Sequence, residues 1–269
     1  EVAPDNREIH RALVRFLVSR DRPADAEAEM RVMADASPDD VDLALDVVRF
    51  ISDTRGTAAS RKELERLVAA KPQVTVYRLS LAQLDFAEKK TDAAIAAVNA
   101  IIAKGEPKED VHKAQLLLAA MQIDLGKNDA AKKIVDAVLE ADGKNADGLA
   151  MRAKLKLDAD DADGAVSDLR EALGQKPKQV QLIAMLAKAH ERQGAIDLAA
   201  ERYAEAVRVS NFDPRITLEA IASLNQRNRR ELAENLLTEA VAARPDDRRF
   251  LLALGDAKLN RQDWAGAQD

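Results

Sequence analysis

An all-α solenoid of helix–turn–helix hairpins is the fold class this sequence predicts, and three observations predict it. A small residue recurs in equivalent surroundings at Ala26, Ser60, Ala94, Ala131, Ala165, Ala199, Ala233 and Ala267, spaced by 34 residues except for one step of 37. Around it, apolar residues return three and four positions apart, which is the spacing of one helix face and not the alternation of a strand. Helix breakers separate the periodic stretches at Pro38, Pro72, Gly143, Pro177, Asn211 and Pro245. A fixed period of about 20 to 50 residues marks a stacked array, in which each unit can bury its apolar face only against its neighbours.

Composition agrees with that class. Hydrophobic residues make up 47% of the 269 residues but aromatics only 3%, so alanine and leucine must carry the packing. Ten Gly and eight Pro lie mostly between periodic segments, as short turns require. The net charge of −6 argues against nucleic acid, whose phosphates demand a basic face. No apolar run reaches the 18 or more residues of a membrane-spanning helix. The absence of cysteine excludes disulfides and thiolate metal sites, and it leaves a bacterial periplasm or cytoplasm open, with a lean to the periplasm.

Taken in order, each unit predicts a first helix, a turn, and a second helix that carries the small residue. Pairs are predicted over 7–20 with 24–35, 41–54 with 58–70, 74–89 with 92–104, and 111–125 with 129–141. They continue over 146–157 with 162–174, 180–193 with 196–210, and 215–227 with 231–243, and an eighth unit opens at Arg248. Pro23 suits the first turn of its helix, where a missing N–H costs nothing. The apolar sets Ile9, Leu13, Phe16, Leu17 and Ala131, Val135, Val138, Leu139 show the amphipathic spacing in a first and a second helix. The units run about 7–38, 39–72, 73–107, 108–143, 144–177, 178–211, 212–245 and a partial 246–269. The opening residues 1–6 read as the tail of a repeat, and Asp263–Asp269 as the interrupted start of a second helix. The sequence is therefore expected to be part of a longer array.

The small residue early in the second helix, small residues in the first helix (Ala82, Ala119, Ala153, Ala187, Gly255) and the closing prolines together resemble the tetratricopeptide repeat (TPR) family. The sixth unit matches best, with Ala187, Gly194, Ala199, Tyr203 and Ala206. The sequence departs from the family where tryptophan is common, with His10, Arg78, Gln115, Leu149, Ile183, Thr217 and Leu251 at that position. It departs again in the second unit, with Ser60 and Val48. The resemblance implies a right-handed superhelix whose first helices line an inner groove, and a scaffold that binds a peptide or protein segment there. By that register the groove would present Arg11, Arg15, Arg49, Leu79, Gln83, Phe86, Leu116, Ile123, Lys154, Lys188 and Asn225. An apolar middle flanked by basic residues would suit an amphipathic or acidic-hydrophobic segment. The clamp that some family members use on chaperone C-termini is not expected, because its asparagines are missing.

Other constellations weaken on inspection. His10, His112 and His190 fall in separate units and cannot converge. No glycine-rich phosphate loop, zinc-protease motif or serine elbow is present, so no catalysis, cofactor or metal is expected. Asp158, Asp160, Asp161 and Asp163 lack the alternation of a calcium loop and read as a solvated turn. Arg227, Arg229 and Arg230 likewise read as a basic turn. The extra residues within Gly105–Asp110 are expected to lengthen a loop. The function expected is a non-catalytic protein-interaction scaffold, within a larger bacterial assembly, export or secretion protein. A docking module of a multidomain enzyme, or self-association, is the alternative.

Overall fold

The structure, a computed structural model, describes residues 7–105 and 107–260. Among them every regular element is an α-helix. The helices are α1 (Arg7–Ser19), α2 (Pro23–Ala36), α3 (Val41–Arg55), α4 (Thr57–Ala70), α5 (Thr75–Ala87), α6 (Thr91–Lys104) and α7 (Lys108–Asp124). Then follow α8 (Asn128–Ala141), α9 (Ala146–Asp158), α10 (Ala162–Gln175), α11 (Val180–Arg192), α12 (Ile196–Val209), α13 (Pro214–Gln226), α14 (Arg230–Ala243) and α15 (Arg248–Asn260). The fold class is thus an all-α solenoid of consecutive helical hairpins. The expectations for residues 1–6, Glu106, Asp263–Asp269 and the recurrent Ala267 lie outside the described residues.

The second helices are strictly uniform. α2, α4, α6, α8, α10, α12 and α14 each have 14 residues, with the recurrent small residue at the fourth position. That residue is buried every time: Ala26, Ala94, Ala131 and Ala165 are 0% exposed, Ala199 and Ala233 2%, and Ser60 3%. A side chain this small leaves room for a neighbouring helix to pack closely at this point. Ser60 is accommodated because its hydroxyl donates to the Thr57 carbonyl at 3.0 Å, so no polar group is left orphaned.

The tight link inside every described hairpin except α3–α4 comes from a repeated closure of the first helix. A residue in the left-handed region follows α1, α5, α7, α9, α11 and α13, at Asp21, Lys89, Gly126, Asp160, Gly194 and Asn228. The next residue then donates back five positions, as in Arg22 to Leu17 (2.9 Å), Lys127 to Gln122 (2.8 Å) and Ala195 to His190 (2.9 Å). This is the Schellman arrangement, which satisfies the orphan carbonyls at a helix end. Gly126 and Gly194 reach that conformation without a Cβ penalty, and Asp and Asn tolerate it.

First helices have 13 residues except α3, with 15, and α7, with 17. The length of α7 corrects one expectation. The extra residues between Ala94 and Ala131 do not widen a loop; they start the helix at Lys108 instead of Val111. The Pro107 carbonyl accepts the first bonds, from Asp110 (3.0 Å) and Val111 (3.1 Å), and Glu109 and Asp110 place negative charge in the first turn, where the helix dipole favours it.

By compactness the chain divides into two units, Glu1–Met121 and Gln122–Asp269. In the first, Val48, Leu64, Leu67 and Tyr77 form one core cluster across α3, α4 and α5. Leu79, Ala82, Ala94, Val98, Ile101, Ala114 and Met121 form another across α5, α6 and α7. In the second, a cluster from Ala187 to Phe250 joins α11 through α15, with Tyr203, Leu224, Leu237 and Phe250 at its centre. Helices pack on their neighbours in sequence, as α9 does on α10 and α11 on α12.

Candidate interaction face of the first helices

Three positions on each first helix were expected to face a partner, and burial separates them into different roles. At the first position, unit 1 has Arg11 exposed, Leu45 half-buried, and Leu79 and Leu116 each only 7% exposed. Unit 2 has Ala150, Ala184 and Leu218 half-buried and Leu252 exposed. Leu79 belongs to the core cluster of α5–α7, so at α5 this position meets the neighbouring hairpin. Leu79 and Leu116 are therefore core residues, not an open apolar strip.

The second position is the surface. Ala120 on α7 is half-buried, but Arg15, Arg49 and Gln83 are exposed in unit 1, and Lys154, Lys188, Ala222 and Asp256 in unit 2. Four of these seven exposed residues are cations, in a protein whose net charge is −6. Arg49 pairs with Asp46 one turn before it, and Lys188 Nζ lies 2.6 Å from Glu219 Oε1. Arg15 and Lys154 have no ionic partner among the described residues. Arg11 reaches Glu8 at 3.2 Å. At the third position Phe86 and Ile123 are half-buried, Phe86 lying against the α5–α7 core, while Asn225 is exposed.

Two clefts open beside these residues. Arg11 and Arg15 line one of about 190 Å³ with Val14, Met30, Met33, Leu43 and Asp46, between α1, α2 and α3. Asn225 lines another of about 570 Å³ with Ile221, Arg230, Leu237 and Asp256, between α13, α14 and α15. Each combines an apolar floor with a charged rim, which suits side chains of a protein segment.

Sequence reasoning missed a set of buried carboxylates. Glu29, Glu63 and Asp168 all stand three residues after the recurrent small residue, on the covered face of the second helix. Asp168 receives both arms of Arg152, Nε at 2.9 Å and Nη2 at 2.8 Å, and Lys156 Nζ at 2.8 Å. Glu29 takes His10. Both therefore tie the second helix to the first helix of the same hairpin. Glu63 differs, since its partners are Arg66 on α4 and Arg31 on α2 of the preceding hairpin. Burial alone would push the Glu63 and Asp168 carboxyls up, but the hydrogen bonds and charges of their cations more than offset it and hold both below the usual range. A carboxylate at a fixed offset from the alanine was the signal available in the sequence. Glu191 joins the network of unit 2: it accepts from the Tyr203 hydroxyl at 2.9 Å and from Ser223. Burial, and then Glu191, push the Tyr203 hydroxyl well above its ordinary pKa.

The remaining charged turns are engaged with the protein. Asp161 accepts from the Gly164 N–H at 2.9 Å, and Asp163 from Gln193 at 2.6 Å. Arg227 approaches Glu191 at 3.4 Å, and Arg229 approaches Asp197 at 2.6 Å. Among the described residues no three His, Asp or Glu side chains converge as a metal site would need.

A tetratricopeptide repeat family model matches residues 150–214 and 217–268. Yeast Tom70 is similar in structure, with a TM-score of 0.60 at 15% identity, over 92% of this chain and 53% of that one. A chain of the APC/C Cut9–Hcn1 hetero-tetramer gives 0.54 at 16% identity, over 95% and 50%. Pseudomonas aeruginosa pilF gives 0.55 at 16% identity, over 74% and 89%. The present chain thus spans about half the length of the Tom70 and Cut9–Hcn1 chains. No curated protein sequence matches it. At these identities the likeness speaks for the fold.

Proposed function

We propose, from the tetratricopeptide match over residues 150–214 and 217–268 and from the solenoid of hairpins, that the chain is a non-catalytic module that binds a protein segment along its first helices. The observation that carries this reading is the exposed second row. Recurring positions build the stack, whereas this row stays open except at Ala120 and varies from hairpin to hairpin, with Arg15, Arg49 and Gln83 in one unit and Lys154 and Lys188 in the other. Cations on an acidic protein favour a segment that carries carboxylates. Half-buried Phe86 and Ile123 offer apolar contact beside the row. The cations would steer and orient, since exposed ion pairs contribute only up to about 1 kcal/mol each.

Display selection of random twelve-residue peptides against the protein tests the reading. The expected outcome is recovery of sequences rich in Asp and Glu with interspersed apolar residues. Their affinity is expected to fall about tenfold or more in the Arg15→Glu/Arg49→Glu variant, or in Lys154→Glu/Lys188→Glu. Recovered peptides that bind both variants as tightly as the unmodified protein would place the partner elsewhere.

A further inference from the structure

The first two second helices leave an open trench. Three contiguous clefts, of about 390, 520 and 110 Å³, run beside α2, the first against the end of α3 and the other two against α3 and α4, and Arg31 lines all of them. The trench extends from Pro23 and Ala24 at one end to Ala70, Lys71 and Tyr77 at the other. A 14-residue helix is about 20 Å long, so the trench can hold about six residues of extended chain.

Its chemistry is lopsided. The 520 Å³ cleft has Ile51, Ala58 and Ala59 as its apolar lining and sets Arg31, Arg55, Lys62 and Arg66 against one carboxylate, Glu63, while Glu27 and Asp35 line the clefts on either side. Glu63 is only 8% exposed and acts as an anchor. It accepts from Arg31 Nη1 and Nη2 at 3.1 and 3.0 Å, and from Arg66 Nε and Nη2 at 3.1 and 2.6 Å. Glu27 holds the other side of Arg31, with Nε at 3.1 Å, and takes Arg55 Nη1 at 3.1 Å. Two carboxylates therefore fix three arginines, and donors remain on Arg55 and Arg66, whose side chains are more than half exposed. Lys62 has no ionic partner among the described residues.

A network that served only to neutralise a buried carboxylate would resemble the one at Asp168, where the cations come from the same hairpin. At Glu63 they come from two successive second helices and line an open space. Pinned guanidinium forks lose little entropy when they grip a second carboxylate, which is the arrangement a preorganised site needs.

We propose that the trench between α2 and α4 is a docking surface for an acidic protein segment, with Arg55, Lys62 and Arg66 gripping its carboxylates and Ile51, Ala58 and Ala59 covering its stem. It is separate from the first-helix row and does not depend on it.

The probe is a fluorescein-labelled peptide of six Glu-Ala repeats, with six Lys-Ala repeats as control, followed by fluorescence anisotropy on the full chain. The Arg55→Ala/Lys62→Ala variant removes exposed cations and leaves the Glu63 anchor intact, and circular dichroism checks that it is folded. The expected result is binding of the acidic peptide alone, about tenfold weaker in this variant and weakened further as salt rises from about 50 to about 500 mM. Affinity unchanged in Arg55→Ala/Lys62→Ala, or lost only in Arg15→Ala/Arg49→Ala, would overturn the proposal. Complete displacement by orthophosphate at constant ionic strength would give the trench to a small oxyanion instead. Light scattering that shows a dimer abolished by the same variant would give it to a second copy. Either result rejects the acidic segment as occupant.

Discussion

At the scale of single residues, the recurrent alanine is a spacer set by steric limits. With almost no exposed surface, the position leaves a larger side chain nowhere to go. Ala165→Leu is expected to destabilise the protein by about 1 to 3 kcal/mol, as overpacking of a dense core does, and urea unfolding followed by circular dichroism reads the change. A stability within about 0.5 kcal/mol of the unmodified protein would mean that the helices can separate without loss. Ser60 shows how narrow the tolerance is. It adds one oxygen, and that oxygen finds a carbonyl within its own helix.

At the scale of elements, the carboxylates of the second helices link helix to helix, and they make the links pH-dependent. The Glu63 carboxyl lies below its ordinary 4.5 when folded. A depressed folded pKa means that its stabilisation is complete above the unfolded value and is lost as pH falls through the folded one. The unmodified protein is therefore expected to weaken below about pH 4.5, and Glu63→Gln to show a flatter acid limb, with a loss at neutral pH of about 1 to 2 kcal/mol given the exposure of its arginines. Melting curves between pH 3 and 7 check this, and parallel limbs for the two proteins would contradict it. Such links were the part of the molecule that sequence reading could not reach. Helix positions were legible because a 34-residue period and a 3.6-residue period reinforce each other over many units. The same periods place Arg15, Arg49, Gln83, Lys154 and Lys188 at one repeating position, and all five are exposed. Leu79 and Leu116 were misplaced because periodicity identifies a helix face but not how deeply the next hairpin covers it. Glu63 and Arg31 are 32 residues apart, and no local pattern shows whether a carboxylate turns toward its own hairpin or the one before. The three-residue insertion was read as loop because an array tolerates extra residues at a turn, yet the Pro107 carbonyl serves to start a helix.

At the scale of the whole molecule, stability in a repeat array is a sum of hairpin terms and neighbour terms, so it is uneven along the chain. In unit 2, α11 and α12 are densely covered, whereas α15 exposes Leu251, Leu252 and Leu259. In unit 1, α1 exposes Ile9, Phe16 and Val18, while α5 and α6 enclose a core. Amide hydrogen exchange is expected to be slowest in α5, α6, α11 and α12 and fastest in α1 and α15, by about tenfold or more. Uniform protection would point to a single cooperative unit. The lengthened α7 has a consequence for any partner of such a molecule. A surface that repeats every 34 residues offers a bound chain several nearly equivalent settings, each one hairpin along from the last. Four additional residues at the start of one helix, about 6 Å of added length, occur only once among the described hairpins. They give an otherwise periodic ruler its zero mark, from which a position along it can be counted.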